Sequence, residues 1–498
     1  MAMKKGEVEM PNLNHLVVLM LENRSFDNML GVAYDQSTKP NQKIPDDARI
    51  YFGLDFDPTG TKPSAPGVYW NPSATAGKVA ISQATDFTMP HPDPSEHFDR
   101  ITAQIFGYAR PPIPANCDMS GFPMDFAQSA GSSGAAGIMH YYTPAQVPVI
   151  TSLARKFAVC DRWFAASPTQ TLPNRAFAHA GTSNGKVNNS PYNPFDFDVR
   201  TIFNVLEDLR KSWAIYKDTH LHGLEQFCAT RVQLPKLWTL PDEHFKHIDD
   251  FHNDVRNGTL PQYSFIEPRL LVDGNDQHPP RDVRLGESLM FDIYESIRTC
   301  AHPEDILLLI TYDEHGGCYD HVPPPFGAVA PDQAPGEFGF HFDRYGVRIP
   351  AILVSPYIEA GTVFRSAKIT PDHQEIPFSH TSILATLRDW LGIGEAAMLP
   401  SARVRVAPTF LDVLTLQAAR PMPTIDPPHK ISKIERVLDF AEEANDLQIA
   451  LAMGLTRWAD EVQQTKVAAD PSLVNKLKSR TFLIPHVIEE ILRIKAKR

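Results

Sequence analysis

An α/β fold built on a mostly parallel sheet is what this sequence predicts, and three features predict it. Two are short apolar runs, HLVVLML at 15–21 and ILLLITY at 306–312, each closed abruptly by polar residues, as in strands buried on both faces of a parallel sheet. The third is the alternation of such runs with amphipathic stretches of helical spacing at 146–157, 284–299 and 380–391. A further run at 349–358 (IPAILVSPYI) has the same strand character but ends without a carboxylate cluster.

The remaining segments fall around that core. Pro-, Gly- and Ser-rich stretches at 32–96 and 110–140 read as long loops or insertions over the functional face. After Pro427 the chain turns rich in Leu, Ile, Ala, Lys and Glu at helical spacing, over 430–451 and 471–495. The expected division is a main domain over 10–420 and a small helical region over 428–498, the latter a cap on the former.

Bulk properties exclude several classes. With 43% hydrophobic and 21% charged residues among 498, the chain is an ordinary folded protein. A net charge of -12, with no basic block, argues against nucleic acid, whose backbone needs clustered Lys and Arg. The five cysteines are scattered, with no CxxC pair, and read as reduced thiols rather than a disulfide framework or zinc site. The opening MAMKKGEVEMPNLN lacks the apolar core of an export signal and reads as leading directly into a strand. The expected address is cytoplasmic, with signal-independent export as the alternative.

The chemistry concentrates where the strands end. Ligands of open α/β sheets bind outside the carboxyl ends of the strands. Glu22 and Asn23 follow the first run, and Asp313 and Glu314 follow the 306–312 run. Such an oxygen-rich set suits a divalent cation: calcium, magnesium, manganese or zinc. Taken singly, Glu22 could merely pair with Arg24 and Asp313 cap a turn; together they favour the metal. In 163–185 (WFAASPTQTLPNRAFAHAGTSNG), the hydroxyls of Ser167, Thr169 and Thr171 precede a helix start, a place that favours anions. Arg175 carries a planar fork suited to a phosphoryl group, and a metal-bound threonine is a competent nucleophile. Proton transfer calls for a histidine. His278, in the polar loop Asn275–Pro280, and His97, in Asp93–Phe98, stand out, ahead of His315, His321 and the helix-capping candidate His380.

These segments together resemble the phosphoesterase family of bacterial and plant phospholipase C enzymes and related acid phosphatases. The matching pieces are ENRSFDNMLG at 22–31, FAVCDRWFAASPTQTLPNR at 157–175, LPQYSFIEPR with NDQHPPRDV in 260–283, TYDEHGGCYDHVPPP at 311–325 and HTSILATLRDWLG at 380–392. The resemblance implies an alkaline-phosphatase-like sheet and a metal held by Glu22, Asn23, Asp313 and Glu314. It also implies Thr171 as nucleophile, with Thr169 the fallback, and His278 as donor to the leaving oxygen. Implied with them are phospholipid cleavage, phosphomonoester cleavage as the alternative within the family, and an inactive metal- or phosphate-binding relative as the alternative outside enzymes. A lipid substrate would bring transient contact with a membrane surface.

Two departures stand out. Where the family often reads DPxH, this chain has Asp93-Pro94-Ser95-Glu96-His97, its histidine displaced by one residue. Where some members carry a second histidine three residues past His278, this chain has Arg281, which cannot serve as an acid near neutral pH.

Overall fold

The computed structural model describes residues 13–35, 37–45, 51–54, 68–73, 77–107, 117–189, 194–219, 223–371, 374–431, 443–464 and 471–496. The opening segment 1–12 and the stretch 432–442 within the expected C-terminal helices lie outside the described residues. Its centre is a nine-stranded sheet: β1 (His15–Leu21), β2 (Gln42–Ile44), β3 (Ala158–Cys160), β4 (Trp213–Lys217), β5 (Phe245–His247), β6 (Tyr263–Glu267), β7 (Ile306–Tyr312), β8 (Ala351–Val354) and β9 (Thr362–Phe364). They lie in the order β2-β9-β3-β8-β7-β1-β6-β4-β5. All neighbours run parallel except β8, which is antiparallel to both β7 and β3. The run at 349–358 therefore supplies the strand that opposes its neighbours.

The two apolar runs are the middle of the sheet. β1 and β7 pair in parallel from His15–Ile306 to Leu21–Tyr312, so both strands end level. Each residue of β7 is buried, as is each of β1 after His15, so the missing alternation in sequence reflects cover on both faces. Helices Pro148–Lys156, Val283–Thr299 and Thr381–Trp390 form where the helical periodicity places them. Glu287 receives the backbone N–H groups of Val149 and Ile150 at 2.6 and 3.0 Å, tying the first two of these helices together.

Two loop assignments need correction. The stretch 110–140 contains a helix, Phe122–Gly134, followed by a 3-10 turn, Ala135–Met139. Phe122 and Phe126, one turn apart, are buried and hold this helix down, although Gly and Ser dominate its second half. In 32–96, Gln42–Ile44 joins the sheet edge as β2, and Trp70–Ser73 pairs with Gly77–Ala80 as a hairpin. Toward the C-terminus, Asp446–Gln463, Pro471–Leu477 and Arg480–Lys495 are helical. Leu451, Leu455 and Trp458 belong to the same apolar cluster as the sheet, and Trp458 stacks on Trp238. Among the described residues no helix is long and apolar enough to cross a membrane.

Behind the ends of β1 and β7 lies a buried charge network. Arg348 donates to Asp27 Oδ1 at 2.8 Å and to both oxygens of Asp320 at 3.2 Å. Asp27 Oδ2 accepts from the backbone N–H and Nδ1 of His321, each at 2.7 Å. Burial alone would raise the Asp27 carboxyl, but His321 and Arg348 outweigh it and hold the carboxyl below its ordinary value. The network staples the helix Phe26–Leu30, just after Glu22-Asn23, to the segment after Asp313-Glu314. Removing the guanidinium strands two buried carboxylates, so Arg348→Met is expected to cost about 3–5 kcal/mol in urea unfolding.

Candidate active site

The level ends of β1 and β7 put Glu22 beside Asp313. Asp313 N–H donates to Leu21 O at 3.2 Å, and Glu22 N–H to Asp276 O at 2.8 Å. Immediately after Glu22 the chain turns through Asn23 at φ +57°, a left-handed conformation that Asn tolerates better than most residues. That turn aims Asn23 N–H at Asp313 Oδ1, 2.9 Å away, which also accepts from Glu314 N–H at 2.8 Å. Gly316 follows at φ +59°, and a Cβ there would stand 2.0 Å from Asn23 O. The glycine of Asp-Glu-His-Gly-Gly is thus required for the two strand ends to approach.

Thr171 begins the helix Thr171–Ala180 opposite these ends. Its Oγ1 lies 3.2 Å from Asn23 Oδ1 and 3.3 Å from Glu22 Oε2. Asn174 places it there: its Oδ1 accepts from Ser167 N–H, and its Nδ2 donates to Thr169 O at 2.8 Å and Thr169 Oγ1 at 3.0 Å. Those bonds fold 167–170 back on the helix and occupy the Thr169 hydroxyl, so Thr171, not Thr169, meets the strand ends. Leu172 N–H is committed to Asn189 Oδ1 at 2.9 Å, and Pro173 has no N–H. The helix start therefore offers chiefly Thr171's own amide to an anion.

Arg175, one turn on, does not leave its whole fork for phosphate. Nε donates to Glu22 Oε1 at 2.8 Å, and Nη2 donates to the same oxygen and to Met20 O. Nη1 is buried without a hydrogen-bond partner among the described residues. Glu22 pairs with Arg175 across the site, whereas its sequence neighbour Arg24 points away. Arg24 donates to the carbonyls of Gln277 at 2.7 Å and Arg281 at 3.4 Å, and also to Met89 O, clamping the 275–283 loop onto β1's end.

Glu22, Asp313 and Glu314 are buried here around Arg175, a balance of charge that favours a cation. Burial pushes the Glu22 carboxyl well above its ordinary value, against the pull of Arg175. Burial likewise raises Asp313, and burial followed by Asp313 raises Glu314. Asp313 Oδ2 and Glu314 Oε1 are buried with no hydrogen-bond partner among the described residues. The Thr171 hydroxyl, flanked by two oxygens, has one proton to give. Around a small octahedral cation with bonds of about 2.1 Å, neighbouring ligand oxygens sit roughly 3 Å apart, near the separations found here. The residues fit a divalent metal.

The histidines sort themselves clearly. His97 is half-exposed and faces Asp446 Oδ2 at 3.9 Å. Glu96, at the register where the family motif carries its histidine, is the residue turned inward. Burial first, then Asp93 and Glu314, push its carboxyl well above the ordinary range. His278 is buried, with Nδ1 2.6 Å from Pro279 O and 3.6 Å from Asp93 Oδ1. Arg281 pairs with Asp276 and donates to Leu270 O at 2.9 Å. His315 bridges Gln104 and Glu314, and His321 serves the Arg348 network. His380 stands at the start of its helix, but its buried ring makes no capping bond, contrary to expectation. Among the described residues, two groups bring three ligating side chains within 4.8 Å of one another: Asp27, Asp320 and His321, already balanced by Arg348, and Asp93, Glu96 and His278.

Comparison with known proteins decides what this constellation belongs to. The sequence model of the Phosphoesterase family matches residues 13–394. The chain belongs to the phosphoesterase family. This phosphoesterase is 34% identical to non-specific phospholipase C3 of Arabidopsis thaliana over 75% of the chain and 68% of that protein. To non-specific phospholipase C5 of the same plant it is 32% identical, over 84% of the chain and 77% of the relative. Phospholipase C A of Mycobacterium tuberculosis (strain ATCC 25618 / H37Rv) is 27% identical over 77% of the chain and 73% of that protein. Among solved structures, a protein in the alkaline phosphatase superfamily from Vibrio parahaemolyticus is 13% identical, covering 63% of this chain and 82% of its own, at a TM-score of 0.31. The chain is a phosphoric ester hydrolase, and its substrates are phosphate esters.

Glu96 carries no sequence signal of its own, since the histidine beside it is the residue type that proton transfer calls for. Loop contacts decide it: Gln104 Nε2 holds Ser95 O at 3.0 Å, and Asn188 Oδ1 receives Phe98 N–H at 2.9 Å, leaving Glu96 facing inward. For the metal, Asp313→Asn is expected to lower bound divalent metal from near one equivalent to well below it by elemental analysis. Unchanged metal content would remove Asp313 from the ligand set.

Proposed function

We propose that this chain cleaves phospholipids as a phospholipase C, through a phosphorylated Thr171 and with a divalent cation at Glu22, Asn23, Thr171, Asp313 and Glu314. The observation that carries the reading is the Thr171 hydroxyl, held 3.2 and 3.3 Å from Asn23 and Glu22 among carboxylates raised by burial. An oxygen donor set suits a hard cation, with calcium, magnesium or manganese ahead of zinc. When bound, the cation lowers the threonine's pKa and offsets charge on the transferring phosphoryl group. The names of the relatives, non-specific phospholipase C and phospholipase C A, support a lipid diester as substrate.

Each residue then has a task. Thr171 Oγ1 releases its proton to solvent and attacks phosphorus, and the bond from phosphorus to the glycerol oxygen breaks. Arg175 holds Glu22 in place and keeps Nη1 available to a phosphoryl oxygen. His278, protonated from solvent when the anionic substrate binds, delivers that proton to the departing glycerol oxygen; it then takes one from the water that releases the phosphorylated head group and passes it to Thr171 Oγ1, which is regenerated. Diacylglycerol leaves into a lipid phase, which brings the enzyme to a membrane surface.

Thr171→Ala is expected to reduce turnover at least about a thousandfold with an unchanged melting temperature, and a near-normal rate would end the nucleophile assignment. Purified protein should cleave p-nitrophenylphosphorylcholine in a chelator-sensitive manner. Cleavage of p-nitrophenyl phosphate alone would instead make it a phosphomonoesterase.

A further inference from the structure

The helix Asp446–Gln463 opens against the active site rather than beside it. Its first residues touch three separate parts of that site. Asn445 Nδ2 lies 3.4 Å from His278 Nε2. Asp446 Oδ2 accepts from Gln170 Nε2 at 3.2 Å, next to Thr171, and stands 3.9 Å from His97 Nε2. Gln448 Nε2 donates to Leu271 O at 2.7 Å and Leu270 O at 3.2 Å, in the loop that leads to His278. Glu443, Asn445 and Arg480 also wall a cavity of about 420 Å³ together with Asp93, Pro279 and Arg281.

Capping chemistry removes the ambiguity in the Asn445–His278 contact. Asn445 is the N-cap of its helix and half of a capping box: its Oδ1 accepts from Gln448 N–H at 2.9 Å, and its N–H donates to Gln448 Oε1 at 3.1 Å. With Oδ1 engaged there, the amide group turned toward His278 is Nδ2, a donor only. Nε2 of His278 must therefore accept, and the ring proton sits on Nδ1, which donates to Pro279 O at 2.6 Å. The same assignment argues against a metal ion at this ring, since neither nitrogen has a spare lone pair.

We propose that Asn445 is a positioning residue for His278: through the N-cap of the C-terminal helix it fixes the Nδ1–H tautomer and makes Nε2 the atom that gains and loses the proton. This rests on the role given to His278 in the proposed reaction. A 3.4 Å contact is long for a hydrogen bond, so Nε2 exchanges it readily for a substrate oxygen or water. The groups facing this ring are Arg281 of its own loop, Arg24 beyond β1, Asp93 and Glu96 of the facing loop, and Arg480 of the C-terminal helices. Burial first, then Arg281, hold the free ring down to about 3, so it rests neutral until a substrate's negative charge arrives.

The experiment uses the full chain with histidine labelled in 15N, His278 being assigned by its loss in His278→Gln. Expected in the wild type is the Nδ1–H tautomer, and a wild-type Nε2–H tautomer would overturn the proposal whether or not any phosphate ester is turned over. Two variants keep the cap, because Asp and Ser are N-cap residues as good as Asn. Asn445→Asp places a carboxylate at Nε2, so the His278 resonance should move to the Nε2-protonated form and the His278-dependent limb of kcat/KM upward by about one pH unit. Asn445→Ser is too short to reach the ring, so the tautomer should become mixed and kcat fall about tenfold, at the low end for a proton-transfer group. Wild-type tautomer, pH profile and kcat in both folded variants would assign Asn445 to helix capping alone. Absence of turnover on every phosphate ester, with the tautomer as stated, would count against the proposed reaction and not against the placement of the proton.

Discussion

Four carboxylates are buried around one threonine hydroxyl, and that concentration of charge constrains everything nearby. Glu22, Glu96, Asp313 and Glu314 are all shielded from solvent, and Arg175 is the guanidinium set among them. Burying an ionised carboxylate without a partner is prohibitive, so the excess must be met by cations or by protons. Four negative groups against one positive leave roughly three charges to offset. A divalent cation would offset two of these, and burial with Asp93 and Glu314 favours the protonated form of Glu96. The same burial that raises these carboxyls favours a cation among them, which is what the proposed metal would supply.

The sheet makes that concentration attainable. Neighbouring parallel strands that end level bring Glu22 and Asp313 together without any contribution from loop folding. Asn23 and Gly316 then absorb the tight crossing in left-handed conformations, and the Asp27–Arg348–Asp320 network locks the chain just beyond. The fourth side of the site comes from the far end of the sequence. Asn445 and Asp446 reach His278, Gln170 and His97, so the C-terminal helices complete the wall that the strands begin.

Much of this was legible in the sequence, for physical reasons. An apolar run buried on both faces reads as a strand of a parallel sheet, and carboxylates after two such runs read together as one cluster, so β1, β7 and the meeting of Glu22 with Asp313 were readable. The residues alone leave Ser167, Thr169 and Thr171 open, and only the family resemblance singles out Thr171; the use of Asn174 to fold back 167–170 is not legible in sequence. What failed depended on partners distant in sequence. Arg175, whose fork reads as suited to a phosphoryl group, gives Nε and Nη2 to Glu22, 153 residues away. His97 rather than Glu96 drew attention because a loop's inward face is set by Gln104 and Asn188, not by local spacing. Phe122–Gly134 hid behind its Gly and Ser content, since two buried phenylalanines carry its packing. Nothing around Asn445 announces a role at a histidine 167 residues earlier, and only packing brings the two together.

The most direct measurement of the central claim is to quench the metal-loaded enzyme in acid during turnover of a phosphate ester and to map the trapped adduct by mass spectrometry. The account predicts a phosphoryl or phosphodiester adduct on Thr171 alone, absent when metal is withheld. An adduct on another residue, or steady turnover with Thr171 never modified, would contradict it.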